Sequence, residues 1–216
     1  MKQHEIIEIR EKVLKKIRNA LIDAEEKSIN LSDEAKKAVF PESDTPLPMQ
    51  FAESFTEAGG MFYYAENETE LKHALNTVLK ELKYHSVFCA NDQLANLLMS
   101  DTFAIISNPD DLPTVPAVIS ECEFLCARTG SILMSSYLSA GRRGVAMNDA
   151  LIIIASQNQI LPDIEDALRE THKKYKGRFP SQLSFVTGPS RTADIEKQLV
   201  LGAHGSKRVF VFIYDE

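Results

Sequence analysis

Apolar residues recur at two spacings along the chain, and the change between them divides it. Near the start, Ile6, Ile9, Val13, Ile17 and Ala20 step by three and four with charges between them, the spacing of one helix face. A turn near residues 28–30 interrupts this helix, and Ser32 is placed to cap a short second one through Val39. Pro41, Pro46 and Pro48 then predict an extended linker, because proline lacks an N–H and fixes φ. Residues 1–50 thus read as a helical arm and proline-rich linker, and residues 51–216 as a separate α/β domain. The arm's apolar stripe serves either the protein's own core or a contact with a partner or a second copy, the latter making a homodimer.

Beyond Phe51 the pattern becomes short apolar runs alternating with helical periodicity. "MFYYA", "SVFCA", "TFAIIS", "PAVIS", "ALIIIAS", "QLSFVT" and "RVFVFIY" predict strands. Leu71, Leu75, Val78 and Leu82 mark a helix face, and Asn91 or Asp92 is placed to cap another helix. A helix within 160–175 turns Ile164, Ala167 and Leu168 inward, and "ADIEKQLVLG" predicts a last helix ending at Gly202. "CEFLCARTGSILMSS" predicts a hairpin turning at Thr129 and Gly130. Strands separated by helices imply a mostly parallel sheet with helices on both faces.

Composition narrows the class. The chain has 216 residues, 44% of them apolar, enough for an ordered core. A net charge of −7 argues against a duplex nucleic-acid partner, which attracts basic proteins. No run is long enough to span a bilayer, and the charged start lacks the apolar core of a secretion signal. A cytoplasmic protein without a membrane partner is expected. Cys89, Cys122 and Cys126 lack the tight spacing of iron–sulfur ligands and read as small core residues. The five histidines show no metal-ligand spacing, and the G-x-G-x-x-G, P-loop and G-x-S-x-G motifs are absent. Neither a metal nor a cofactor is expected.

Two stretches rise above this background. In the first, Thr129, Gly130 and Ser131 occupy the hairpin turn, where backbone N–H groups and two hydroxyls are suited to cradle an anion. Arg142 and Arg143 follow in a glycine-flanked loop, and paired arginines can clamp a carboxylate or phosphate. The alternative is a solvated loop and a glycine-enabled turn. In the second, a strand runs into Thr187, Gly188, Pro189 and Ser190, then Arg191 and Thr192. If a helix follows, its N-terminus is an anion site with Arg191 beside it. The alternative is that Ser190 or Thr192 only caps that helix and Arg191 pairs with Asp194 or Glu196.

"TGPSRTADIE", followed by "LVLGAHG" and an apolar last strand, resembles the C-terminal signature of the LUD-domain proteins, the lactate-utilization protein C group. "ARTGSIL" resembles that family's Ala-Glu-Thr-Gly-Thr/Ser hairpin, and the resemblance runs from about residue 60 to residue 214. It implies an α/β sandwich of the NagB/RpiA/CoA transferase-like type. It also implies an accessory, non-redox subunit of an L-lactate oxidation system, binding a small anionic metabolite and iron–sulfur partner subunits. The alternative is a stand-alone enzyme of the same fold acting on a phosphorylated or CoA-linked small molecule. The resemblance draws attention to Thr187, Gly188, Ser190, Arg191, Thr192 and His204; the histidine either donates a proton or hydrogen bond near neutral pH or is structural. This chain departs from the family at Arg128, where the hairpin usually has Glu, and at Ser206, where Pro is common. It also has "AMNDALIII" where the family often carries a Pro-x-His pair. A reversed charge at residue 128 implies a different ligand preference.

Overall fold

The computed structural model describes residues 44–138, 140–193, 199–202 and 205–214. The arm expected over the first fifty residues lies outside these up to residue 43. Residues Thr45–Glu216 make one compact unit. Helix α1 (Leu47–Glu57) opens inside the proline-rich stretch rather than after it. Pro46 precedes it and Pro48 sits in its first turn, where a missing N–H leaves no intrahelical bond unmade. This helix sends Phe51 and Phe55 into the core with their rings stacked 5.4 Å apart.

Next come β1 (Met61–Ala65) and α2 (Glu68–Glu81), which Asn67 caps by accepting from the Glu70 N–H. Then follow β2 (Ser86–Phe88), α3 (Asp92–Leu97) capped by Asn91, and β3 (Ala104–Ile106). A 3-10 turn (Pro109–Thr114) leads to β4 (Ala117–Ser120). The hairpin of β5 (Phe124–Cys126) and β6 (Ser131–Ser135) precedes β7 (Ala150–Ala155). After it come a 3-10 turn (Gln157–Gln159), β8 (Ile160–Leu161), α4 (Ile164–Tyr175) and β9 (Leu183–Val186). The chain continues through β10 (Arg191–Ala193), β11 (Leu199–Leu201) and β12 (Arg208–Tyr214).

The main sheet is parallel throughout, in the order β1-β12-β7-β4-β2-β3. Its central strands are buried on both faces, which is why β7 reads as an unbroken apolar run. One face, with Val87, Ile119, Ile152 and Phe210, packs on Leu71, Leu75 and Leu79 of α2. The other, with Val118, Leu151, Ile153 and Val211, packs on Phe51 and Phe55 of α1 and on Leu125, Ile132 and Met134. Those last three belong to a second sheet, β8-β5-β6-β9, in which β6 runs antiparallel to both neighbours. Ala167 of α4 packs on Cys126 and Leu133 on its outer side. The result is a sandwich of helix, sheet, sheet and helix.

Three further expectations change. On one face of the main sheet, where helices alone were expected, a second sheet stands beside α1. The helix expected over "ADIEKQLVLG" is not formed at either end: Arg191 pairs with Leu201 and Ala193 with Leu199 as antiparallel strands. In α4, Leu168 faces outward at 42% exposure, while Ala167 and Thr171 take the inward face. The Thr171 hydroxyl is satisfied there by donating to the Ala167 carbonyl at 2.7 Å.

Candidate functional site

The two hydroxyl-bearing stretches meet. Ser131 Oγ lies 2.7 Å from Thr187 Oγ1, joining the first residue of β6 to the residue after β9. Gly130 turns the hairpin with φ of +59°, and a β-carbon there would collide with the α1 backbone at Ser54 and Phe55. Gly188, with φ of +73°, likewise faces the Ala58 carbonyl oxygen too closely for any side chain. Arg191 Nη2 donates to that same carbonyl at 3.0 Å. The Ser190 N–H donates to the Ser206 carbonyl and the Ser190 carbonyl accepts from the Gly202 N–H, both at 2.9 Å. The end of α1, the hairpin turn and residues 187–191 therefore form one junction. Within it the hydroxyls of Thr129 and Ser206 are buried without a hydrogen-bond partner, Ser206 at 4% exposure.

This junction differs from the expected one in two ways. Arg191–Ala193 is a strand rather than the first turn of a helix, so no helix N-terminus lies at Ser190; the donors are hydroxyls, backbone N–H groups and the Arg191 guanidinium. It also lies near the amino ends of the main strands, since Gly60 leads into β1 and Lys207 into β12. The rule that ligands sit at carboxyl ends of parallel strands does not reach β9, which pairs antiparallel with β6 in the second sheet.

Arg142 and Arg143 are both exposed, and Arg143 Nε lies 3.4 Å from Met147 Sδ. Among the described residues no hydrogen bond or ion pair joins either arginine to the junction. The side chain of Thr192 and the whole of His204 lie outside the described residues. Arg128 grips Asp163 with Nε and Nη2, each at 2.7 Å. Asp163 in turn caps α4, and this pairing holds its carboxyl below the usual range. The charge at residue 128 is thus engaged by an acid.

Sequence reasoning passed over a buried carboxylate. Glu123 Oε1 accepts from Ser135 Oγ and Tyr175 Oη at 2.5 Å each, and Oε2 accepts from Lys174 Nζ at 2.6 Å. Burial would raise its pKa, but the hydrogen bonds from Lys174, Ser135 and Tyr175 outweigh burial and lower it. The signal was an acid inside the apolar run "CEFLC", which a strand buries only if it is paired. Burial pushes the Cys89 thiol up to about 11 and Cys126 up to about 12, and raises Cys122 as well. None is a ready nucleophile at neutral pH. Among the described residues no group of three or more His, Cys, Asp or Glu is placed to hold a metal, and no helix is long and apolar enough to cross a membrane.

The LUD domain matches residues 101–214, more than half of the chain. The chain belongs to the LUD-domain family. Lactate utilization protein C of Halalkalibacterium halodurans is 26% identical over 160 residues, 68% of this chain and 70% of that protein. Lactate utilization protein C of Oceanobacillus iheyensis is 30% identical over 99 residues, 45% of this chain and 42% of that protein. The uncharacterized protein YkgG of Escherichia coli is 31% identical over 96 residues, 43% of this chain and 42% of that protein. Apart from the first, then, these matches span less than half of the relatives' length. A crystal structure of a DUF162 family protein from Deinococcus radiodurans superposes with a TM-score of 0.63 at 18% identity, covering 81% of this chain and all of that one. That likeness bears out the α/β sandwich. The hairpin, the 187–191 segment and the Glu123 cluster all fall inside the LUD match.

Proposed function

We propose that this LUD-domain chain serves lactate utilization in the cytoplasm as an accessory, non-redox subunit. It binds a small anionic metabolite at the junction of the hairpin turn with residues 187–191 and docks on iron–sulfur partner subunits. The observation that carries the site is the meeting of Ser131 with Thr187, which gathers two separated hydroxyl-rich strings beside Arg191. The buried, unpartnered hydroxyls of Thr129 and Ser206 support it, because each is a donor in want of an acceptor. The relatives named lactate utilization protein C support the tie to lactate utilization.

Calorimetric titration of the whole chain with lactate and pyruvate tests the site. Arg191→Ala removes a charge-assisted hydrogen bond and is expected to weaken binding by about 1.5–3 kcal/mol. Because Arg191 also holds the Ala58 carbonyl, a parallel melt separates lost binding from a loosened α1. Equal affinity in the variant would remove the assignment. Turnover of a sugar phosphate or an acyl-CoA by the chain alone would replace the subunit reading with an enzyme.

A further inference from the structure

A cavity lies away from this junction, at the carboxyl ends of the main sheet. Strands β7 and β12 stop side by side there, with Ala155 opposite Ile213. The open crevice beyond them has a volume of about 530 Å³, within the range of small-molecule sites. Ile154, Ala155, Tyr214 and Leu97, the last residue of α3, line its apolar part, and residues 156–159 form the rim. None of the lining residues is charged.

The rim is a held turn. The Asn158 N–H donates to Ser156 Oγ at 3.3 Å and the Ser156 N–H to Gln159 Oε1 at 3.0 Å, a reciprocal cap. Gln159 Nε2 then donates to the Cys122 carbonyl at 2.7 Å, tying the turn to the chain after β4. Gln157 Nε2 donates to Tyr64 Oη at 3.1 Å, tying it to β1. With Gln159 so engaged, the exposed Asn158 carboxamide and the Tyr214 hydroxyl are left without hydrogen bonds to the other described residues.

We propose that this crevice binds an uncharged heteroaromatic ring with a hydrogen-bond donor and acceptor on neighbouring edge atoms, the chemistry of a nucleobase. A carboxamide offers one donor and one acceptor in the matching spacing and pairs bidentately with such an edge. The apolar part takes the body of the ring, and the tyrosine supplies an aromatic surface for it. A phosphate or carboxylate finds no cation among the lining residues, so the ring carries the affinity.

The test is a titration of the isotope-labelled full chain with adenosine, cytidine, uridine and nicotinamide, followed by amide chemical shifts. At least one ring is expected to shift residues 156–159 and Tyr214 saturably, with AMP binding within about threefold of adenosine. Asn158→Ala, at an exposed position, is expected to weaken that ring about tenfold. Leu97→Trp, which fills the crevice from α3, is expected to remove binding while the melt reports folding. No shift with any of the four rings, unchanged affinity in Asn158→Ala, or displacement by inorganic phosphate overturns the proposal. Lactate is expected not to compete, so failure here is separable from failure at the junction.

Discussion

Gly130 carries two constraints that no other residue type meets at once. Its φ of +59° is the left-handed region, and its missing side chain lets the hairpin turn approach the backbone of Ser54 and Phe55 in α1. The second constraint is the stronger, because backbone on the far side cannot rotate away as a flexible side chain would. Gly130→Ala is therefore expected to destabilise by more than the ~1 kcal/mol of a purely conformational change. It should also pull Ser131 away from Thr187, so weaker binding at the proposed anion site would accompany the lost stability. Urea unfolding of the variant checks the first effect and calorimetry the second. A change in binding without a change in stability would mean the glycine serves the ligand alone.

At the scale of elements, Glu123 fastens α4 to the second sheet. It stands just before β5, accepts from Ser135 at the end of β6, and is reached by Lys174 and Tyr175 in the last turn of α4. The Tyr175 ring also meets Tyr137 edge-on at 5.2 Å. The folded pKa of Glu123 lies below its unfolded value, about 4.3 for an unperturbed glutamate. Its stabilising contribution is therefore complete above that value and lost as pH falls through the folded one. Lys174 is shifted the other way: burial opposes its charge, but the Glu123 carboxylate outweighs this and raises its pKa. Its contribution persists below the unfolded lysine value and fades as pH rises through the folded one. Glu123→Gln is expected to cost about 1–3 kcal/mol at neutral pH, since Lys174 is half exposed and can turn to water. It should also flatten the acid limb of a stability-against-pH curve measured by urea unfolding. An acid limb identical to that of the unmutated chain would show that other carboxylates govern acid unfolding.

Across the whole molecule, legibility followed the range of the interactions. The parallel strands were readable because burial on both faces leaves apolar runs such as "ALIIIA", and the Asn91 cap because its hydrogen bond is local. Beyond its β5–β6 hairpin the second sheet was not, because nothing within β8 or β9 states that they pair with that hairpin rather than with the main sheet. "ADIEKQLVLG" reads as a helix because Ala, Glu, Lys, Gln and Leu are good helix formers, and the pairing of Arg191 with Leu201 overrode that preference. The Ser131–Thr187 contact spans the same kind of gap, so the sequence offered both halves of the junction without their meeting. The pairing of β1 with β12 is the longest-range case, joining Met61 to Phe210 in register. Strand β12 lies between β1 and β7, and Val209 through Ile213 are each at most 2% exposed. Removing it would bare β7 along one edge, detach β1, and open both faces of the core at once. A chain stopped after Lys207 is thus expected to lose its cooperative thermal transition rather than to melt a few degrees lower. Circular dichroism through a melt decides this, and a sharp transition in the shortened chain would mean that the sheet closes without β12.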